Sequence, residues 1–323
     1  MAQHSKESCK LIGALLGVKA LRPFVSPRAM LYCSSSSLFS FFIVAFAMFG
    51  TWNIFFGESI RIGTPLDSTP VVLEPFAAGV DLSYTATCVI DASNAQDGYV
   101  MVAYMGASDS AKLQIACHCN QSVYTYNLPY STEHLAFPFS SGSGIYTVTI
   151  FEPDPQLGED MHNPVLSKVI EVALFDELSP FLYPNHLVWF TPDTQAIEGS
   201  AGIFANARSE RHVVVDAYNF VLNNIEIDLE MANDETKSGS HSRNIDVIVE
   251  EGKGTCLEYA VLLTALLRSQ QVPAKLVFGD TPGGYHAWVS AYIRGFGWVL
   301  LDPANEASTS LKRQLIYKED LVF

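Results

Sequence analysis

Apolar positions fall along the chain in three textures, each predicting a different kind of element. From Leu38 to Phe56, LFSFFIVAFAMFGTWNIFF runs nineteen residues without a charge. As a helix it rises about 28 Å, the span of a bilayer's hydrocarbon core. From about Pro70 to Leu174 the pattern is short runs rich in Val, Ile, Tyr and Thr: LSYTATCVID, GYVMVAY, KLQIACHC, SVYTYNL, GIYTVTIFE and LSKVIEVALF. Breakers at 94–98 and 141–144 separate them, as in an antiparallel sandwich of Ig-like type. After Ser179 helical spacing appears. From Arg208 to Asn224 the residues Val214, Tyr218, Val221 and Leu222 share a face, with Ser209 as N-cap. CLEYAVLLTALLRSQ, beginning at Cys256, is apolar nearly all round and predicts a buried helix. VPAKLVFG (272–279) reads as a strand. GYHAWVSAYI (284–293) and WVLLD (298–302) read as a hairpin turning at Arg294-Gly295-Phe296-Gly297.

Charge assigns a topology to this order. Of 19 basic and 34 acidic residues, five basic and one acidic precede residue 57, so the remainder carries 14 against 33. A basic arm before an apolar span and an acidic bulk after it predict a single-pass anchor. The N-terminus is then cytoplasmic and the bulk outside the cell membrane. The small-x-small step Ala45-Phe46-Ala47 leaves a cleaved signal peptide as the alternative. The expected organisation is a cytoplasmic arm (1–37), a transmembrane anchor (38–56) and a linker (57–69). A β-sandwich (70–178) and a second, mixed α+β domain (179–323) follow. The net charge of −15 excludes a nucleic-acid partner, which needs clustered Lys and Arg.

Four cysteines follow the anchor: Cys88, Cys117, Cys119 and Cys256. Cys117-His118-Cys119 is half a metal site with no second half at zinc spacing. It reads instead as buried thiols or one disulfide involving Cys88. The acids Glu226, Asp228, Glu230, Asp234 and Glu235 lack calcium-loop spacing, so 226–245 reads as a solvated loop. No metal or cofactor is called for.

The candidate chemistry lies in the last third. Cys256, in the first turn of its helix, faces unpaired backbone N–H groups and the positive end of the helix dipole, which favour thiolate. Gly252 and Gly254 before it allow a sharp turn and a close approach to substrate. His286 on one hairpin strand and Asp302 at the end of the other come within cross-strand reach. The carboxylate is expected to take the imidazole's Nδ1–H and leave the other nitrogen for the thiol. Trp288 and Trp298 are either walls of an acyl tunnel or core aromatics.

The stretches from Gly252 to Asp280 and from Tyr285 to Ala304 resemble the catalytic core of the transglutaminase-like superfamily. Its Gly-x-Cys reads Gly254-Thr255-Cys256 here. Its His-Ala-Trp reads His286-Ala287-Trp288, and its Gly-Trp-x-x-x-Asp-Pro reads Gly297-Trp298 through Asp302-Pro303. The family's Ile-Pro-Ala-Arg becomes Val272-Pro273-Ala274-Lys275, a departure at its first and last residues. The resemblance implies a papain-like α+β fold with a Cys256–His286–Asp302 triad acting on protein or peptide amides, cell-wall peptides among them. Cross-linking, deamidation and proteolysis are all within its chemistry. A non-catalytic surface adhesin or scaffold retaining the fold is the alternative. The anchor–sandwich–catalytic order suggests a bacterial surface protein.

Overall fold

The computed structural model describes residues 64–154, 162–232, 243–282, 284–307 and 318–323. The expected anchor from Leu38 to Phe56 and the arm before it lie outside the described residues. Among the described residues, no helix is long and apolar enough to cross a membrane.

Strands β1 (Leu82–Tyr84), β2 (Cys88–Asp91), β3 (Tyr99–Tyr104) and β6 (Ser131–Pro138) form one sheet in the order β1-β2-β3-β6. β4 (Ser110–Cys117), β5 (Val123–Pro129), β7 (Gly144–Pro153) and β8 (His162–Val172) form a second, ordered β5-β4-β7-β8. All neighbours in both sheets are antiparallel. Period-two alternation explains the pairing: β4 buries Ala111, Leu113, Ile115 and Cys117 and exposes Lys112. Phe139, just past β6, meets Tyr146 of β7 with ring centroids 4.8 Å apart, tying one sheet to the other.

The cysteines depart from expectation. Cys117 is disulfide-bonded to Cys119, with Cα atoms 5.5 Å apart, while Cys88 is a fully buried free thiol. β4 ends at Cys117 and the chain turns immediately, so the two sulfurs converge rather than project side by side from one strand. His118, between them, pairs its Nε2 with Thr147 Oγ1 at 2.8 Å. Among the described residues no group of His, Cys, Asp and Glu could hold a metal ion.

After a turn of 3-10 helix at Ser179–Phe181 come α1 (Gln195–Glu198), α2 (Ala201–Phe204) and α3 (Glu210–Asn224). The Ser209 side chain caps α3 by accepting from the His212 N–H. The expected polar loop holds, in its described part, β9 (Glu226–Ile227) and α4 (Leu229–Ala232). α5 (Ile245–Glu251) then leads through β10 (Lys253–Gly254) into α6 (Cys256–Ser269). Every residue of α6 after Cys256 is buried. The chain continues with β11 (Ala274–Thr281), β12 (Gly284–Ile293), β13 (Gly297–Leu301), α7 (Pro303–Ala307) and β14 (Lys318–Val322). The last four strands pair antiparallel in the order β13-β12-β11-β14.

Alternation again decides what covers this sheet. Ala287, Val289, Ala291 and Ile293 are buried on one face of β12, and α6 packs on β11 and β12. On the other face Trp288 and Val277 cluster with Val322 and with Phe181 from the 3-10 turn, and Tyr124 of β5 packs against them. Tyr126 of β5 also donates its hydroxyl to the Val322 carbonyl at 2.9 Å. The strands before residue 179 therefore support the sheet that carries the hairpin.

Two further ties lock α6 in place. Arg268, fully buried in its last turn, donates to the carbonyls of Tyr183 (2.6 Å), Ala274 (2.8 Å) and Phe323 (2.9 Å). The described part of the expected linker runs as an extended strap. Leu66 N–H donates to Ala207 O at 2.7 Å, Val71 N–H to Ser269 O at 2.8 Å, and Gln270 Nε2 to Ser68 O at 3.1 Å.

Candidate active site

The approach to Cys256 is built from main chain. Gly252 ends α5 in the left-handed region at φ 62°, which favours glycine. Lys253 and Gly254 pair in parallel with Glu226 and Ile227. A Cβ on Gly254 would lie 2.5 Å from Glu258 Cβ. The need for glycine at 254 thus comes from the helix packed against it rather than from an incoming substrate. Thr255 is the N-cap: its Oγ1 accepts from the Leu257 N–H at 3.3 Å, and Glu258 Oε2 accepts from the Thr255 N–H at 2.8 Å. Cys256 is then the first residue of a fourteen-residue helix, a free thiol of intermediate exposure. Its neighbours in the helix are locked by packing, so the sulfur stands on a rigid base.

The hairpin delivers the other two groups. β12 and β13 pair Val289 with Leu301. Continuing that register by one residue sets Trp288 opposite residue 302. His286 and Asp302 are therefore same-face diagonal neighbours, roughly 7–8 Å apart at the backbone. The imidazole's outer nitrogen spans that diagonal: His286 Nε2 lies 2.9 Å from Asp302 Oδ2. The expectation that Nδ1 would meet the carboxylate is corrected by this reach. Nε2 is the nitrogen far enough from the strand to reach an acid two positions along, which leaves Nδ1 for the thiol. Cys256 is close enough to His286 to help raise its pKa.

Asp302 is itself fixed. Its other oxygen, Oδ1, accepts from the Asn305 N–H at 3.0 Å, so the carboxylate caps α7 while holding His286. Its side chain is only 5% exposed, and that of His286 18%. Burial by itself would depress the His286 pKa. Asp302, which accepts from the ring, and Cys256, with the charges behind them, outweigh that effect and raise the pKa from its ordinary 6.5 to about 10. At neutral pH the ring is an imidazolium between two acidic partners.

The two tryptophans have different surroundings. Trp288 is 1% exposed and lies beside the catalytic-candidate ring, centroids 6.5 Å apart and planes 23° from parallel. So deep a ring offers no wall to a substrate in this conformation and instead backs the imidazole. Trp298 is 36% exposed at the far end of β13, edge-on to Phe181 and Tyr292, with Lys275 Nζ 4.1 Å above its centroid. Lys275, a departure from the family pattern, thus keeps a cation on an aromatic pair (4.6 Å to Phe181), and burial lowers its pKa. Sequence reasoning missed Arg243 and Glu258, which grip the peptide before Cys256. The only signal was the Thr-x-x-Glu spacing of a capping box.

Among families, residues 199–303 match the transglutaminase-like superfamily. Among solved structures the chain is similar to a protein from Cytophaga hutchinsonii described as a candidate cysteine protease (15% identity, TM-score 0.36). That likeness covers 76% of this chain and 74% of the other. It is also similar to a candidate protease from Parabacteroides distasonis (20% identity, TM-score 0.28, covering 38% and 25%). A third is the periplasmic domain of TgpA from Pseudomonas aeruginosa (13% identity, TM-score 0.29, covering 70% and 96%). No curated protein matches. The matched segment spans Cys256, His286 and Asp302 and ends at Pro303, and it is to a transglutaminase-like domain that residues 199–303 of this chain are matched.

Proposed function

We propose that the chain is a thiol acyl-transfer enzyme acting on protein or peptide amides, with Cys256 as nucleophile, His286 as acid–base and Asp302 as its orienting carboxylate. One observation carries the reading: a partly exposed thiol at the start of a buried helix acts on an imidazole whose Nε2 is 2.9 Å from a buried carboxylate.

The steps follow from where the protons sit. The Cys256 sulfur attacks the amide carbon, and His286 gives its Nδ1 proton to the departing nitrogen as the C–N bond breaks. A thioester and an amine result. The neutral imidazole then takes a proton from an attacking amine or water, the C–S bond breaks, and the new amide or acid leaves. Asp302 fixes the ring's tautomer and direction throughout. The Cys256 backbone N–H at the helix start would serve as an oxyanion donor.

Charge asymmetry and the apolar run from Leu38 to Phe56 support an anchored, extracellular placement. The two antiparallel sheets before residue 179 support an Ig-like spacer or binding module. Incubating the protein with a glutamine-bearing protein and a fluorescent primary amine tests the reaction. Amine incorporation marks cross-linking, and new peptide termini mark proteolysis. A native Cys256 that reacts with iodoacetamide no faster than free cysteine, alongside no product of either kind, favours the scaffold reading instead.

A further inference from the structure

Glu258 lies two residues past Cys256 and is completely buried. Its Oε2 accepts from the Thr255 N–H at 2.8 Å and from the Thr255 hydroxyl at 2.6 Å. A capping box needs no more than that, and a neutral glutamine would serve it equally well. Here the residue is an acid, and an arginine is brought to it. Arg243 Nε lies 3.8 Å from Glu258 Oε1. The same guanidinium pairs with Glu251 and donates through Nη2 to the Lys253 carbonyl at 2.6 Å. Withdrawing a carboxylate from water beside a cation carries a desolvation cost that capping alone does not require.

The contacts converge on three residues. The Lys253 carbonyl is held by Arg243, the Gly254 carbonyl by the Asp228 N–H at 2.9 Å, and the Thr255 amide and hydroxyl by Glu258. Glu258 also fills the space that a side chain on Gly254 would occupy. The next peptide carries the Cys256 N–H and sulfur. The pair has an electrostatic consequence too. A buried anion two residues from the sulfur opposes thiolate formation unless a cation cancels it.

We propose that Arg243 and Glu258 are a positioning pair for Cys256: they fix the peptide that aims the sulfur, and Arg243 cancels the Glu258 charge that would otherwise oppose the thiolate. This rests on Cys256 being the nucleophile. Neither residue touches the reacting atoms.

The test is the pH profile of Cys256 alkylation by iodoacetamide in the full chain, read by mass spectrometry, for a signed cycle of variants. Arg243→Gln leaves the buried acid uncompensated. It is expected to move the profile's midpoint up by about one pH unit and, at pH values below the native midpoint, to slow the reaction about tenfold. Glu258→Gln keeps the cap and moves the midpoint down. The double variant, which buries no unpaired charge and so folds even if Arg243→Gln does not, returns to near the native midpoint. Arg243→Lys retains the cation and recovers most of the rate. A fast native Cys256 whose profile is unmoved in Arg243→Gln, or a double variant displaced as far as that single one, overturns the pair alone. A native Cys256 no faster than free cysteine overturns the thiol-enzyme reading and this proposal with it.

Discussion

Replacing Asp302 by asparagine removes one charge while keeping the side chain's shape. In the native protein the His286 pKa stands at about 10 against an ordinary 6.5. At about 1.4 kcal/mol per unit, this is on the order of 5 kcal/mol in favour of the imidazolium. Burial already opposes that figure, and Asp302 and Cys256 share what overcomes it. If Asp302 supplies about half, the variant's His286 should titrate roughly two units lower, near pH 8. A second effect separates charge from shape. Both Asp302 oxygens accept, one from Asn305 N–H and one from the imidazole, whereas an asparagine has a single accepting oxygen and can serve only one of them. A cap loss of about 1 kcal/mol is therefore expected in addition to the stability that goes with the lowered His286 pKa. Histidine-ring NMR on isotopically labelled protein, with His286→Gln to assign the resonance, reads the titration directly and needs no substrate. A His286 midpoint that stays near 10 in Asp302→Asn would refute the assignment of that carboxylate as the group holding the proton.

Other outcomes follow from the same contacts. The folded-state pKa of His286 is raised, so its contribution to stability is complete below pH 6.5 and is lost as pH climbs toward 10. The urea-unfolding difference between native protein and His286→Gln should be largest near pH 6 and shrink steadily above it. Trp288→Ala empties a site in the Phe181–Val277–Val322 cluster and should cost about 3–5 kcal/mol by chemical denaturation, with the His286 resonance broadened or shifted. Alkylation without reduction should leave Cys117 and Cys119 unmodified. Their loop is so short that reduction should lower stability by no more than about 2 kcal/mol.

The parts of the molecule with one strong periodicity were legible in the sequence. α6 announces itself because apolar residues surround it. The β12–β13 hairpin does so through alternation on either side of the turn at 294–297, and α3 through Ser209. β6 was not legible: Ser131, Glu133 and His134 occupy its outer positions and prolines flank it, so its apolar face is too short to show a period. β9 and β10 are two residues each and acquire meaning only through pairing with one another across α4 and α5. Arg268 looks in the sequence like a cation suited to a helix C-terminus, and nothing local says that three distant carbonyls will enclose it. The site was readable as a set of residues but not as a set of atoms. Which imidazole nitrogen faces the acid depends on a register between strands, and which acid steadies the nucleophile depends on an arginine thirteen positions upstream of Cys256.

Asp302 answers to two demands at once, since one of its oxygens starts a helix while the other steadies a ring. A lineage that abandoned the reaction would still be pressed to keep an aspartate there, or an asparagine, merely to begin α7. Its survival in any relative is therefore poor testimony that chemistry survives. The sulfur at 256 has no such second employment, and serine or alanine would fit the first turn of α6 about as well. Among relatives of this chain, the informative column is the cysteine.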